Sequence, residues 1–268
     1  MSLLLARLFP PQSRPTRRAG RLLQRNLLVY KHIWMVIIAG FCEPVFYLFA
    51  VGVGLGSFVG DVTTAGGQTL SYAAFVAPGL LAASAMNGAI VESTFPIFFK
   101  LHYNRTYDAV LATPMRVADI TVGEILWAQL RAGIYACGFL ALMYVTGLTT
   151  SPWAPGAALG ALLVGFTFSA AGFAAVTFMR TWHDFDMIQL VILPLFLFSG
   201  TFYPLSVYPP FLQPIMQISP LYHGTELLRA FTLGQFDWTL AGHAGVLVLM
   251  GTVGLFIISR RLVGTLLK

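Results

Sequence analysis

The chain has 268 residues, of which 57 % are hydrophobic and 10 % charged, whereas an ordinary soluble domain carries about 25 % charged residues. This composition excludes a soluble enzyme or binding module and describes an integral membrane protein whose function resides in or at the bilayer. The net charge of +6 comes from basic residues that flank apolar runs, which argues for membrane orientation and against nucleic-acid binding.

In chain order, residues 1–10 hold only three leucines before Arg7, too short a run for a signal-peptide core, so an uncleaved N-terminus is expected. Residues 15–32 form an amphipathic pattern with Leu22, Leu23, Leu27 and Tyr30 on one face and Arg18, Arg21 and Arg25 opposite. That pattern predicts a helix lying in the membrane interface; the alternative is a basic leader that only enforces topology. Apolar runs long enough to span follow at 33–57, 72–95, 124–148, 156–179, 187–203 and 238–259. Between the last two, Pro204, Pro209, Pro210, Pro214 and Pro220 interrupt the apolar pattern, which predicts a re-entrant or interfacial helical hairpin over 204–230.

Charge sets the expected orientation. The segments before the first run, after the second, after the fourth and after the sixth hold 14 of the 16 basic residues. By the positive-inside rule that side is cytoplasmic, with both termini inside and an even number of spans. The reading is therefore a cytoplasmic segment at 1–32 and one all-α membrane domain of six spans at 33–268.

The inner loop 96–123 predicts a short helix at 105–112, a break at Pro114, and a new helix that starts on a Thr121–Glu124 capping box. Such a short helix is either a contact element below the membrane or a structured connector. Within the runs, Glu43 stands beside Pro44 at about mid-membrane depth, where an ionisable group normally faces protein or a water-filled cavity. The expected partner is Arg131 of the third run; the alternatives are backbone freed by Pro44, or a dimer seam. Asn87 and Glu92 are further polar positions in the second run, Glu92 being read as solvated near the inner surface. Gly52, Gly54 and Gly56 are read as helix-packing positions.

Catalytic signatures are missing. The three lysines, Lys31, Lys100 and Lys268, stand in no P-loop context, and neither G-x-S-x-G nor H-E-x-x-H occurs. Cys42 and Cys137 are read as small core residues. The run from His183 to Asp186 reads as a helix start capped by Asp184 or Asp186 rather than a metal site. Ser199 with His223 or His243 could be imagined as a nucleophilic pair, but nothing local in the sequence supports a shared site.

Four stretches, "EPVFYLFAVGVGLG", "YAAFVAPGLLAASAMNGAIVESTF", "RTYDAVLATPMRVADITVGEILWAQLRA" and "LFLFSGTFYPLSVYPPFLQPIMQISPLYHGTELLRA", resemble in order and spacing the permease subunits of ABC-2 type exporters. They are most similar to the branch that includes nodulation-factor export permeases, with drug and polysaccharide exporters as wider relatives. The resemblance runs from about residue 20 to the end, and its most specific piece is F-S-G-x-x-Y/F-P followed by P-L-x-H and a downstream Arg, here Phe198 to Pro204, Pro220 to His223, and Arg229.

The resemblance implies that Arg105, Thr106, Tyr107, Asp108, Leu111, Thr113 and Pro114 belong to a coupling helix docking on a separate ATPase subunit, which the interfacial helix also touches. It implies a re-entrant hairpin on the extracellular side and an assembly of two permeases with two ATPase subunits that bind ATP and Mg. The translocation path would run between the permeases in a bacterial inner membrane, and Phe196, Phe198, Phe202, Tyr203 and His223 are the expected path or gate residues. The expected cargo is an amphipathic solute such as a lipo-oligosaccharide, a lipid-linked glycan or a hydrophobic drug. The competing readings are a proton-coupled transporter using Glu43 and Glu92, and an intramembrane enzyme.

Overall fold

The computed structural model describes residues 15–30, 35–63, 67–149 and 151–266. The expectations about residues 1–14, 31–32 and Lys268 lie outside the described residues, as do the side chains of Arg18 and Tyr30.

Helix α1 (Pro15–Tyr30) precedes α2 (Met35–Tyr47), which continues through a π-helical stretch, Leu48–Leu55, into a last turn at Gly56–Val59. Pro44 stays inside α2, and the change of winding comes at Leu48, where i to i+5 pairing widens the helix. A two-stranded antiparallel hairpin, Asp61–Thr63 with Thr69–Ser71, was not anticipated from the sequence and leads into α3 (Tyr72–His102). Then come the short α4 (Thr106–Leu111) and the long α5 (Val117–Val145) and α6 (Gly156–Val176). A 3₁₀ turn at Trp182–Asp184 opens α7 (Phe185–Leu197), and α8 (Gln213–Ile218), α9 (Pro220–Leu233) and α10 (Thr239–Leu266) complete the chain.

Among the described residues, five helical stretches are long and apolar enough to cross a membrane: Cys42–Val59, Tyr72–His102, Val117–Val145, Gly156–Val176 and Thr239–Leu266. The fifth predicted run became the 13-residue α7, about 20 Å long at 1.5 Å per residue and shorter than a hydrocarbon core of about 30 Å. It is capped at Phe198, whose amide donates to the Pro194 carbonyl, and the chain then turns at Gly200, φ 70°, a left-handed conformation that glycine adopts without strain.

Helices α3, α5, α6 and α9 enclose the main core, in which Phe75, Leu80, Met86, Phe139, Met143, Val164 and Leu228 are buried. The α3–α6 and α6–α10 seams are close because small residues line them: a Cβ on Gly172 would collide with the Ser93 hydroxyl, and one on Gly254 would lie 2.9 Å from the Ala170 carbonyl carbon. Thr167 Oγ1 donates across the α6–α10 seam to the Leu247 carbonyl at 2.9 Å, and Thr149 Oγ1, in the connection after α5, donates to the Thr232 carbonyl of α9 at 2.6 Å. A second core at the other end gathers Leu22 of α1, Phe98 of α3, Tyr107 of α4, Ile120 of α5, Phe173 of α6 and Leu262 of α10.

Several local expectations are corrected. Helix α5 starts at Val117, not at Thr121: the Arg116 amide donates to Asp119 Oδ2 at 3.0 Å, while Thr121 bonds the Val117 carbonyl and Glu124 belongs to an ion pair. Asp119, closer to the break at Pro114, reaches the free amides first. Cys137 is exposed on the surface of α5 and not packed in the core. Of the three glycines after Glu43, only Gly52 lies in a close contact, against Leu48 and Ala73. On α1 the buried stripe is Ala19, Leu22 and Asn26, with Leu27 exposed, because the helix rolls this face onto α5.

Candidate functional site

Three polar constellations sit within the apolar bundle. The first is a seam between α3 and α5. Arg131 ion-pairs with Glu92, Trp127 Nε1 donates to the other oxygen of the same carboxylate, and Arg131 Nε donates to the Tyr135 hydroxyl at 2.9 Å. Both charged side chains are buried, so the pair is shielded from solvent. The predicted Glu43–Arg131 pair is therefore replaced by Glu92–Arg131, and Glu92 is not solvated. The reason is helix length: α3 runs on to His102, which places Glu92 about 15 Å inside the helix end rather than at it. What joins α2 to α5 is the Tyr135 ring, wedged between Gly40 of α2 and Gly88 of α3, where any side chain in place of glycine would collide with it.

The second constellation anchors α4. Lys100 Nζ lies 2.8 Å from both oxygens of Glu124, and the Tyr107 side chain is fully buried beside that carboxylate. Burial pushes the Tyr107 phenol well above its ordinary pKa, the Glu124 charge acts in the same direction, and Arg25 of α1 opposes them. Arg105, at φ 45°, is the one non-glycine residue with positive φ among the described residues, and it sets α4 across the ends of α3 and α5. Of the predicted coupling residues, Tyr107 faces inward, Thr106 and Leu111 are half-buried, and Arg105, Asp108, Thr113 and Pro114 are exposed. On α1, Arg21 and Arg25 are exposed and Leu23 is half-buried.

The third is a groove between α2, α3 and α7 with a cavity volume of about 640 Å³. Its wall carries Glu43 and Tyr47 from α2, Ser84, Asn87, Thr94 and Phe95 from α3, and Asp186, Gln189 and Phe196 from α7, with Trp182 at one end. Glu43 lines this groove, whereas Gly40, one turn earlier on α2, packs against the Tyr135 ring. Among the predicted path residues, Phe196 lies in the groove and stacks edge-on with Tyr47 and Phe202. Phe198 and Tyr203 are exposed and both approach Tyr208 instead.

His223 belongs to a separate cluster. Its Nδ1 lies 2.7 Å from Nδ1 of His243 on α10, an arrangement in which one ring donates and the other accepts. No local feature of the sequence joins these two histidines, yet they face each other. Ser199 bonds the Phe196 carbonyl and Thr201. Close by, Arg229 donates to the Gly200 carbonyl at 2.9 Å, pairs with Glu226, and lies over the Phe75 ring. The two halves of the most specific sequence motif thus touch: the glycine of F-S-G presents a carbonyl to the downstream arginine. Asp184 accepts from the Arg180 and Thr181 amides at 2.7 and 3.0 Å and so organises the start of α7, while Asp186 lines the groove.

A family model described as ABC-2 type transporter matches residues 18–233, a stretch that contains all three constellations. The chain belongs to this family. The ABC-2 permease is 34 % identical over 230 residues to nodulation protein J of Rhizobium leguminosarum bv. viciae, covering 84 % of this chain and 85 % of the relative. It is 30 % identical over 240 residues to nodulation protein J of Rhizobium meliloti (87 % and 88 % covered). Against the inner membrane transport permease YadH of Escherichia coli it is 26 % identical over 228 residues (82 % and 84 % covered). An ABC-2 permease is the membrane subunit of an exporter that works with a partner ATPase, which accords with the absence of a P-loop from this sequence.

The residues that sequence reasoning missed in this permease are Trp127, Tyr135, Lys100 and His243. A signal existed for part of them: Glu124, Trp127, Arg131 and Tyr135 recur at intervals of three or four and so fall on one face of α5.

Proposed function

We propose that this permease moves an amphipathic solute from the cytoplasm or inner leaflet outward, driven by ATP bound and hydrolysed with Mg in two copies of a separate ATPase subunit. A second copy of the permease completes the path, and the α2–α3–α7 groove lies along it. Six crossings, both termini cytoplasmic, arise when α7 and the turn after it cross together; α8 and α9 form the re-entrant hairpin of the outer side. Helix α4 is the coupling helix, and α1, with Arg18, Arg21 and Arg25, lies at the interface beside it.

The observation that carries this reading is the anchoring of α4. A six-residue helix is too short to be stable alone, yet here it is pinned by the buried Tyr107 while Arg105, Asp108 and Thr113 point away from the bundle. That is the form of a docking element rather than of a plain connector. The test is co-expression with the ATPase encoded beside it, purification through a tag on the permease, and ATP hydrolysis in liposomes. Replacing Arg105, Asp108 and Thr113 with alanine is expected to abolish co-purification while the permease itself still elutes as a folded species. Retention of a fully active complex would overturn the assignment of α4.

A further inference from the structure

Glu43 stands without a partner. Among the described residues it forms neither hydrogen bond nor ion pair, and Arg131, the cation that would balance it, is held by Glu92. A carboxylate in a membrane span is costly unless something in its cavity compensates it. The rest of the groove does not. Ser84 and Asn87 are neutral, the Thr94 hydroxyl is engaged by the Ile90 carbonyl at 2.7 Å, and Asp186 adds a second carboxylate. Among the described residues, no Lys, Arg or His lines the cavity. Its field is negative, and low-dielectric walls focus such a field. Tyr47, Phe95, Trp182 and Phe196 supply aromatic faces, which attract cations in their own right.

We infer that the groove binds amphipathic organic cations in preference to anions, with the cationic head at Glu43 and Asn87 and the apolar part against the aromatic wall. The inference deepens the export reading and rests on it only for placing the groove on the export route. Glu43 is then the specificity-determining group, since it stands in a stretch long and apolar enough to span, whereas Asp186 is in the first turn of the shorter α7.

The test uses the permease–ATPase complex in nanodiscs and two probes of equal shape and opposite charge, tetraphenylphosphonium and tetraphenylborate, with binding measured above that of protein-free discs. The phosphonium is expected to gain about tenfold or more over the borate from one unit charge in a partly desolvated site. Glu43→Gln removes that preference, and Asn87→Asp enlarges it, a gain that a damaged fold would not produce. Equal binding of the two probes, or a preference indifferent to both substitutions, overturns the inference. So does a Glu43→Gln protein that loses its second permease copy while the preference stays intact, because Glu43 would then serve the subunit contact. Export is scored separately by attaching a bulky maleimide to Gln189→Cys in the groove. If the label fails to block ATP-driven phosphonium export although the charge preference persists, the route is wrong and the binding assignment stands. If the label blocks export but the probes bind alike, the charge assignment falls and the route stands.

Discussion

Arg131 and Glu92 form an ion pair across the buried α3–α5 seam, with both side chains almost wholly removed from solvent. Trp127 and Tyr135 take up further hydrogen-bonding capacity on either side, so the pair is the hub of a polar network. Removing one partner of such a pair leaves an uncompensated buried charge at a cost of about 3–5 kcal/mol, whereas replacing both by apolar groups is often close to neutral. Arg131→Met alone should therefore abolish a monodisperse elution peak, and Arg131→Met with Glu92→Leu should restore much of the thermal stability. Detergent-phase melting of the three proteins checks this; a double variant no more stable than the single one would assign the network an indispensable packing role instead.

Tyr107 gives a prediction with two arms. Its ring is fully buried under α4, so Tyr107→Ala should cost about 3–5 kcal/mol, as for other large aromatic truncations, and detach α4. Tyr107→Phe keeps the ring and should stay within about 1 kcal/mol of wild type. The phenol is held above its ordinary value, first by burial and then by Glu124, so the folded state retains a proton that the unfolded chain releases above about pH 10. The stability this supplies is present below that pH and is lost as pH rises through the raised folded value. Alkaline melting curves should accordingly decline less steeply for Tyr107→Phe than for wild type.

The contrast between Glu43 and Glu92 shows what the sequence could and could not convey. Hydropathy located the long spans but missed several of their ends by about two turns, the short α4 was legible from Pro114, and the motif segments fixed the family. The ion pairs were not legible, because a pairing depends on how far each helix continues past its apolar window. Helix α3 runs on to His102 with the half-buried Lys100 in its last turn paired to the buried Glu124, so polar residues extend a span that hydropathy ends at 95. Rotation was the other missing quantity: Glu43 lines the groove while Gly40 meets Tyr135 of α5, a steric arrangement between helices that are distant in sequence. The His223–His243 pair joins two helices in the same way and left no local trace.

Glycines on α10 offer an internal control. A Cβ at Gly254 would meet the Ala170 backbone at 2.9 Å, whereas one at Gly242 meets nothing within 4 Å. Backbone cannot yield as a flexible side chain can, so Gly254→Ala should separate α10 from α6 and cost about 1–3 kcal/mol by overpacking. Gly242→Ala should be neutral or stabilise by up to about 1 kcal/mol, since alanine loses less backbone freedom on forming a helix. Melting temperatures moving in opposite directions would confirm that the α6–α10 seam is set by close backbone approach; equal shifts would show that it is not.

Asp184 links pH to the groove. Its carboxylate is held below the usual range by the amides of Thr181 and Arg180 and by the Thr181 hydroxyl, and the charge of His183 acts the same way. A depressed folded value means that the contribution is present above the ordinary carboxylate pKa of about 3.9 and is lost as pH falls through the folded one. What is lost is local: the turn that orients Trp182 and Phe185, both of which line the groove. Hydrogen exchange over residues 181–190 should therefore show wild type protected relative to Asp184→Asn at pH 6, with the difference closing below about pH 4. Comparing the two proteins at each pH cancels the intrinsic chemical rate. Protection that is equal at pH 6 would mean the amides find other acceptors and that the carboxylate does not organise the start of α7.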